Sequence, residues 1–105
     1  MAVIDRPLTP AEASTMAEVR AGVDALDARL VALIAERFAW MDAAARIKPT
    51  RAAVRDEARK AQVIANARAH AETHGLNPAA IAELWDTLVE ASIAHEFQEW
   101  DRLRR

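Results

Sequence analysis

The sequence contains no cysteine and no tyrosine, and it has only two glycines and two phenylalanines among its 105 residues. The absence of cysteine excludes a disulfide framework and a metal site with thiolate ligands, and nothing in the composition implies an oxidising compartment. Scarce glycine and scarce aromatic residues, together with a large share of Ala, Leu, Glu and Arg, are typical of a chain that is nearly all helix. We therefore expect an all-α fold.

An excess of charge of one sign is also missing. The chain has 14 basic and 16 acidic residues and a formal net charge of -2, so it lacks the basic surface that is typical of nucleic-acid-binding proteins. The start, MAVIDRPLTP, has no apolar run long enough for a signal peptide, and no later run is long enough to span a bilayer. We expect a cytoplasmic protein with no nucleic-acid and no membrane partner.

The usual motifs of cofactor, metal and nucleophile chemistry do not occur. There is no glycine-rich phosphate loop and no nucleophile motif. His70 and His74 have the four-residue spacing of a metal pair, but no third ligand lies within sequence reach, and imidazolium is also favoured near a helix C-terminus. The sequence therefore predicts no metal and no cofactor, and any reaction would proceed without a covalent intermediate.

The chain reads as a flexible lead-in, residues 1–8, followed by a single helical domain, residues 9–105. Capping boxes at Thr9 and Thr15 offer two starts for a first helix, which then meets no breaker until Pro49. Such a helix would be roughly 50 Å long at 1.5 Å per residue, whereas a compact monomer of this size has a radius of gyration of about 13 Å. The helix would extend beyond a compact protein of this size and expose its apolar stripe to water. We therefore predict that a partner chain covers this stripe.

Two further helices are predicted. The second includes Asp56 and Glu57 in its first turn and stops at Gly75. The third begins at Asn77-Pro78, where an N-cap precedes the proline of the first helical position. The protomer should therefore contain three helices, of which the N-terminal one is very long.

The first helix carries cations where its apolar stripe should continue. An apolar series at alternating steps of three and four runs from Val23 to Leu33, and its next position is Arg37. Lys48 lies only about 20° around the helix from Arg37, so both side chains face the same way. Two cations on one face, separated by short side chains, predict a recess for a small dianion. The alternative is that Arg37 reaches out to water and that Lys48 merely caps the helix C-terminus.

Arg20 lies about 25 Å along the same helix from Arg37 and about 100° around it, so one helix cannot bring both to one small ligand. If both serve a site, Arg20 comes from the other subunit of an antiparallel pair. The alternative is an exposed arginine paired with Asp24.

Polar residues on the other two helices complete the candidate set. Arg59 follows Asp56 by one turn, and a solvated charge cluster is the alternative interpretation. Ser92 and Glu96, one turn apart, extend the apolar face of the third helix.

The spacing of these residues resembles that of the all-helical chorismate mutases and, within the same fold, the isochorismate-pyruvate lyases. The resemblance spans roughly residues 14–104. It is carried by Arg20, by LDARLVALIAER ending at Arg37, by Lys48, by VRD with Arg59, and by Ser92 and position 96. It implies an intertwined homodimeric helical bundle with two sites, each built mostly from one chain plus Arg20 of the other.

The resemblance also implies a role for each matched residue. Arg20 and Arg37 would clamp substrate carboxylates, while Lys48 would bond the ether oxygen and a carboxylate. Arg59 would assist with the carboxylates, and Asp56 and Ser92 would line the pocket.

Two positions depart from the family pattern. The best-known bacterial mutases have a Gln that donates to the ether oxygen where this chain has Glu96, which donates only when protonated; the alternative is an ionised Glu96 paired with Lys60 or Lys48. The residue after Arg59 is usually Glu in those mutases and apolar in the lyase, whereas here it is Lys60. The connection between Lys48 and Arg59 has the same length as in the lyase, and the segment AAARIK, residues 43–48, also resembles the lyase.

The interpretation that the resemblance favours is a chorismate mutase of aromatic amino-acid biosynthesis. It would convert chorismate to prephenate with Arg37, Lys48 and Glu96 as catalytic residues. Such an enzyme works by holding a flexible dicarboxylate in a reactive shape and by stabilising charge with fixed cations. One alternative is isochorismate-pyruvate lyase, which forms salicylate in the same pocket. Another is a non-catalytic helical dimer with a regulatory or scaffolding role, against which Arg37 in a core position argues.

Overall fold

The computed structural model describes residues 8–105, which form three α-helices and two 3₁₀ turns and contain no strand. The helices are α1 (Met16–Ile47), α2 (Glu57–Thr73) and α3 (Pro78–Leu103), and the 3₁₀ turns are Pro10–Glu12 and Arg51–Val54. The all-α protomer with a very long N-terminal helix is thereby confirmed. None of the helices in this part of the chain is both long and apolar enough to cross a membrane.

The predicted lead-in falls almost entirely on residues 1–7, which lie outside the described residues. Both capping boxes that follow it form. The Thr9 amide donates to Glu12 Oε1 at 2.9 Å and caps the first 3₁₀ turn. At the second box the Thr15 amide donates to Glu18 Oε1, and the Glu18 amide donates to Thr15 Oγ1, each at 3.1 Å. The second box therefore starts α1, because it pairs amides that the first turn of a helix leaves without partners.

The turn between α2 and α3 forms as the sequence predicts. Gly75 adopts a φ of 69°, which a residue with a side chain rarely adopts. The Leu76 amide donates to the Ala71 carbonyl at 2.8 Å, which is the bond that closes a Schellman motif. Asn77 Oδ1 then accepts from the Ala79 amide at 2.9 Å and caps α3. These local bonds end one helix and begin the next within four residues.

The chain divides into two compact units at the step from Arg37 to Phe38. In the first unit, the apolar stripe of α1 is exposed. Its members Val23, Leu26, Leu30 and Leu33 are between 47% and 59% exposed. A single chain therefore leaves this stripe uncovered, and the homodimer that would cover it stays a prediction.

In the second unit, α3 packs against α2 and against the second 3₁₀ turn. The buried apolar residues are small: Ala45, Val54, Ala67, Ala71, Ala82 and Val89. Among the described residues no large side chain is fully buried. Because small side chains remove little apolar area from water, each of these buried residues contributes only a small hydrophobic stabilisation.

Candidate active site

Two polar residues of α3 are buried in the core of the second unit. Ser92 is 2% exposed and Glu96 is 3% exposed, and their spacing of four residues places them on one face of the helix. The Ser92 hydroxyl donates to the Leu88 carbonyl at 2.7 Å. Buried polar groups need such partners, and every buried side-chain nitrogen or oxygen of the described residues has one.

Lys48 brings a positive charge to this buried face. Its Nζ donates to Glu96 Oε2 at 2.8 Å and to the Val54 carbonyl at 3.1 Å. The Lys48 side chain is 29% exposed, whereas that of Glu96 is 4% exposed. An ammonium group has three donors, so a donor beyond these two remains to bind a small molecule that approaches from the open side. The structure therefore brings together Lys48 and Glu96, with Ser92 one turn away.

The Val54 carbonyl is a part of this arrangement that sequence reasoning missed. It belongs to the second 3₁₀ turn, and Val54 is 3% exposed. A backbone oxygen exists at every residue, so no sequence signal distinguishes the one that will face a lysine.

Asp56 and Arg59 make local contacts at the start of α2. Asp56 lies one residue before the helix with an extended backbone, and its Oδ1 accepts from the Arg59 amide at 3.0 Å. The prediction that Asp56 belongs to the first turn is thereby corrected to the N-cap position, because its side chain satisfies an amide of that turn. The Arg59 guanidinium donates to Gln62 Oε1 at 2.7 Å, and both Asp56 and Arg59 are exposed. Their roles toward a substrate stay predictions.

Arg20 and Arg37 both lie on α1, in the first unit. Arg20 is exposed and Arg37 is half-buried. Their predicted function as ligands of substrate carboxylates stays a prediction.

Lys60 belongs to an ion-pair cluster between the start of α2 and the middle of α3. Its Nζ lies 3.0 Å from Asp86 Oδ1 and 3.0 Å from Glu90 Oε2. Arg55 binds the same Glu90 through two nitrogens, at 2.9 and 3.1 Å. Hydrogen bonds from Arg55 and then from Lys60 lower the pKa of Glu90 to about 2. Of the two pairings that the sequence left open for Glu96, the structure contains the one with Lys48.

His95 joins α3 to the last third of α1. Its Nε2 lies 2.6 Å from Asp42 Oδ1, and its ring centroid lies 4.9 Å from that of Phe38. Sequence reasoning missed this pair because Asp42 has no motif around it. Within residues 8–105 no group of three His, Asp or Glu side chains is arranged to hold a metal ion.

The site therefore offers a fixed ammonium group beside a buried carboxyl group. Such a group can bind an anion or an ether oxygen and stabilise negative charge that develops there.

Comparison with known proteins agrees with this chemistry. The family described as chorismate mutase type II matches residues 19–97, a stretch that includes Lys48 and Glu96. The isochorismate pyruvate lyase of Pseudomonas aeruginosa is 26% identical over 96 residues, which cover 91% of this chain and 95% of the lyase. Since the family match covers well over half of the sequence, the chain belongs to the chorismate mutase type II family.

Proposed function

We propose that this protein is a chorismate mutase, which rearranges chorismate to prephenate. The observation that carries the proposal is the contact of Lys48 Nζ with Glu96 Oε2 at 2.8 Å, on a carboxyl group that is almost fully buried. It fixes a cation that still has a donor for the ether oxygen of a bound substrate. Membership of the family supports the reaction class.

The reaction needs no nucleophile, because one bond breaks while another forms within a single molecule. The protein holds the enolpyruvyl ether in a reactive shape and meets the negative charge that develops on its oxygen. Lys48 supplies the positive charge that stabilises it, and the Val54 carbonyl and Glu96 hold the Lys48 ammonium group in place before the reaction begins. Fixed donors of this kind need little reorganisation in the transition state.

The remaining residues of the proposed site come from the family resemblance. Arg20 and Arg37 bind the substrate carboxylates, and Arg20 is supplied by a second subunit. Arg59 assists with the carboxylates, while Asp56 and Ser92 line the pocket.

Glu96 has two functions in this proposal. One carboxyl oxygen holds Lys48, and the other, when protonated, donates to the ether oxygen. An amide at the same position would provide both an acceptor and a donor.

Isochorismate-pyruvate lyase is the second candidate, because the lyase from Pseudomonas aeruginosa resembles this chain over 95% of the lyase's own length. The connection between Lys48 and Arg59 also has the lyase length. That reaction is another pericyclic conversion of a closely related dicarboxylate, so the same cation would stabilise it.

Separate incubation of the purified protein with chorismate and with isochorismate, followed by chromatography of the products, tests both candidates. Prephenate from chorismate supports the mutase, whereas salicylate and pyruvate from isochorismate support the lyase. The activity should disappear in Lys48→Ala and persist in Arg102→Ala, since Arg102 pairs with Glu99 on the surface of α3. If neither substrate is converted, both enzymatic candidates are wrong, and the non-catalytic dimer is favoured.

A further inference from the structure

We propose that Trp100 and Arg104 are positioning residues, which fix Lys48 for the reaction by holding its backbone carbonyl. This inference rests on the proposed function of Lys48. Trp100 Nε1 donates to the Lys48 carbonyl at 3.0 Å, and Arg104 Nη2 donates to the same oxygen at 2.9 Å. We call these two side chains the carbonyl clamp.

Arg104 also caps the end of α1. The last carbonyls of a helix have no partner within the helix, and a positive charge is favourable there. Arg104 Nη1 donates to the Ala45 carbonyl at 3.0 Å, so the guanidinium bridges the last turn of α1 and the residue that follows it. The guanidinium carbon lies 4.2 Å from the centroid of the Trp100 ring, a cation–π contact that orients the two clamp residues toward each other.

The clamp holds a position that would otherwise be poorly fixed. Lys48 follows the last residue of α1 and precedes Pro49, and helix ends tend to fray. Its own amide donates to the Ala44 carbonyl at 2.9 Å, which is a single intrahelical bond. The two clamp bonds therefore determine where the Lys48 backbone lies when the helix ends.

Residues at the C-terminal end of α3 bind both the side-chain ammonium group and the backbone carbonyl of Lys48. Glu96 and Trp100 lie one turn apart on the same face of α3, and Arg104 is the residue that follows the last residue of this helix. Glu96 holds the ammonium group, while Trp100 and Arg104 hold the carbonyl. A displacement of about 1 Å at a catalytic group can cost on the order of 100-fold in rate, so the clamp should influence turnover without touching the substrate.

Two conservative variants test the clamp. Trp100→Phe keeps an aromatic ring but removes the donor, and Arg104→Lys keeps the charge but removes the planar fork. We expect each to lower kcat by about 10-fold while KM changes by less than about twofold, because the displaced lysine affects the transition state most. The matched control is Arg102→Lys in the last turn of α3, because the Arg102 guanidinium binds Glu99. It should retain kcat within about twofold.

Circular dichroism and a melting curve establish that each variant is folded at the assay temperature, so that lost stability is not mistaken for lost positioning. Guanidinium ions added to Arg104→Ala should restore part of kcat, whereas equal concentrations of ammonium ions should not, because only the planar cation reproduces the fork. Wild-type kcat in both Trp100→Phe and Arg104→Lys would overturn the proposal.

Hydrogen exchange at the amides of residues 44–48 gives a readout that does not depend on activity. We expect about 10-fold faster exchange there in Trp100→Phe and Arg104→Lys than in wild type or Arg102→Lys. Unchanged exchange in both clamp variants would overturn the proposal. Failure of the proposed function can be distinguished from failure of the clamp. If the proposed function is wrong, the wild-type protein converts neither substrate, whereas hydrogen exchange still measures whether the clamp fixes residues 44–48.

Discussion

Lys48 Nζ and Glu96 Oε2 lie 2.8 Å apart although the two residues are 48 positions apart in the chain. The contact links the end of α1 to the buried face of α3. It joins a half-exposed cation to a carboxyl group that has almost no contact with water.

Lys48→Ala removes the cation that is proposed to stabilise the ether oxygen. Removal of one such donor usually costs about 3 to 4 kcal/mol of transition-state stabilisation, so kcat/KM should fall by roughly 100- to 1000-fold. Steady-state kinetics with the accepted substrate measures the loss, with Arg102→Ala as the control. A loss of less than about tenfold would contradict the role given to Lys48.

Glu96→Gln should keep substantial activity, because the amide can accept from Lys48 and donate to the ether oxygen at any pH. Glu96→Ala should lose about 2 to 4 kcal/mol of transition-state stabilisation. Values of kcat/KM for wild type and the two variants test this: a Gln variant as impaired as Glu96→Ala would mean that Glu96 supports Lys48 through its negative charge and does not act as a donor.

The exposed stripe of α1 predicts a homodimer. The spacing of Arg20 and Arg37 along α1 predicts that each site takes Arg20 from the second subunit. Sedimentation at micromolar concentration should give the mass of two chains. Inactive Arg20→Ala and inactive Lys48→Ala chains, when mixed and allowed to exchange, should regain activity, because one site of the heterodimer then has both intact residues. A monomer, or a mixture that stays inactive, would exclude the shared site.

Glu90 should make the stability of the second unit depend on acid pH. Arg55 and Lys60 hold its folded-state pKa near 2, below the ordinary value of 4.5. A depressed pKa means that the stabilisation is fully present above about pH 4.5 and is lost as the pH falls toward 2. Melting temperatures between pH 6 and pH 2 should fall less steeply for Glu90→Gln than for wild type. Parallel slopes would show that these bonds contribute nothing to stability, as is common for exposed ion pairs.

Gly75→Ala should destabilise the protein by about 1 to 2 kcal/mol, because a side chain disfavours the positive φ of this residue. A Cβ atom at Gly75 would meet no atom within 4 Å, so the cost comes from the backbone alone. Gly22, inside α1, also has open space around it, and Gly22→Ala should instead stabilise the helix by about 0.5 to 1 kcal/mol. Urea unfolding of the two variants should therefore give shifts of opposite sign.

The helix boundaries could be predicted because they depend on bonds between near neighbours in the chain. Thr15 and Glu18 start α1, the turn at Gly75 ends α2, and Asn77 caps α3. Each of these features depends on contacts between residues at most five positions apart. Periodicity likewise placed Ser92 and Glu96 on the inner face of α3, and both are buried. The start of α1 was ambiguous from sequence because two capping boxes stand six residues apart and each satisfies its own local amides.

The partners of the charged side chains were decided only by the tertiary structure. Periodicity tells which face of a helix a residue occupies, but it does not tell which element that face will meet. From the sequence alone, Lys48 could have capped its own helix and Lys60 could have reached Glu96. In the structure Lys48 pairs with Glu96, and Lys60 pairs with Asp86 and Glu90. The Val54 carbonyl and the clamp on the Lys48 carbonyl lay beyond sequence reasoning for the same reason, since backbone oxygens are identical along the chain and only the approach of α3 selects those that are bound.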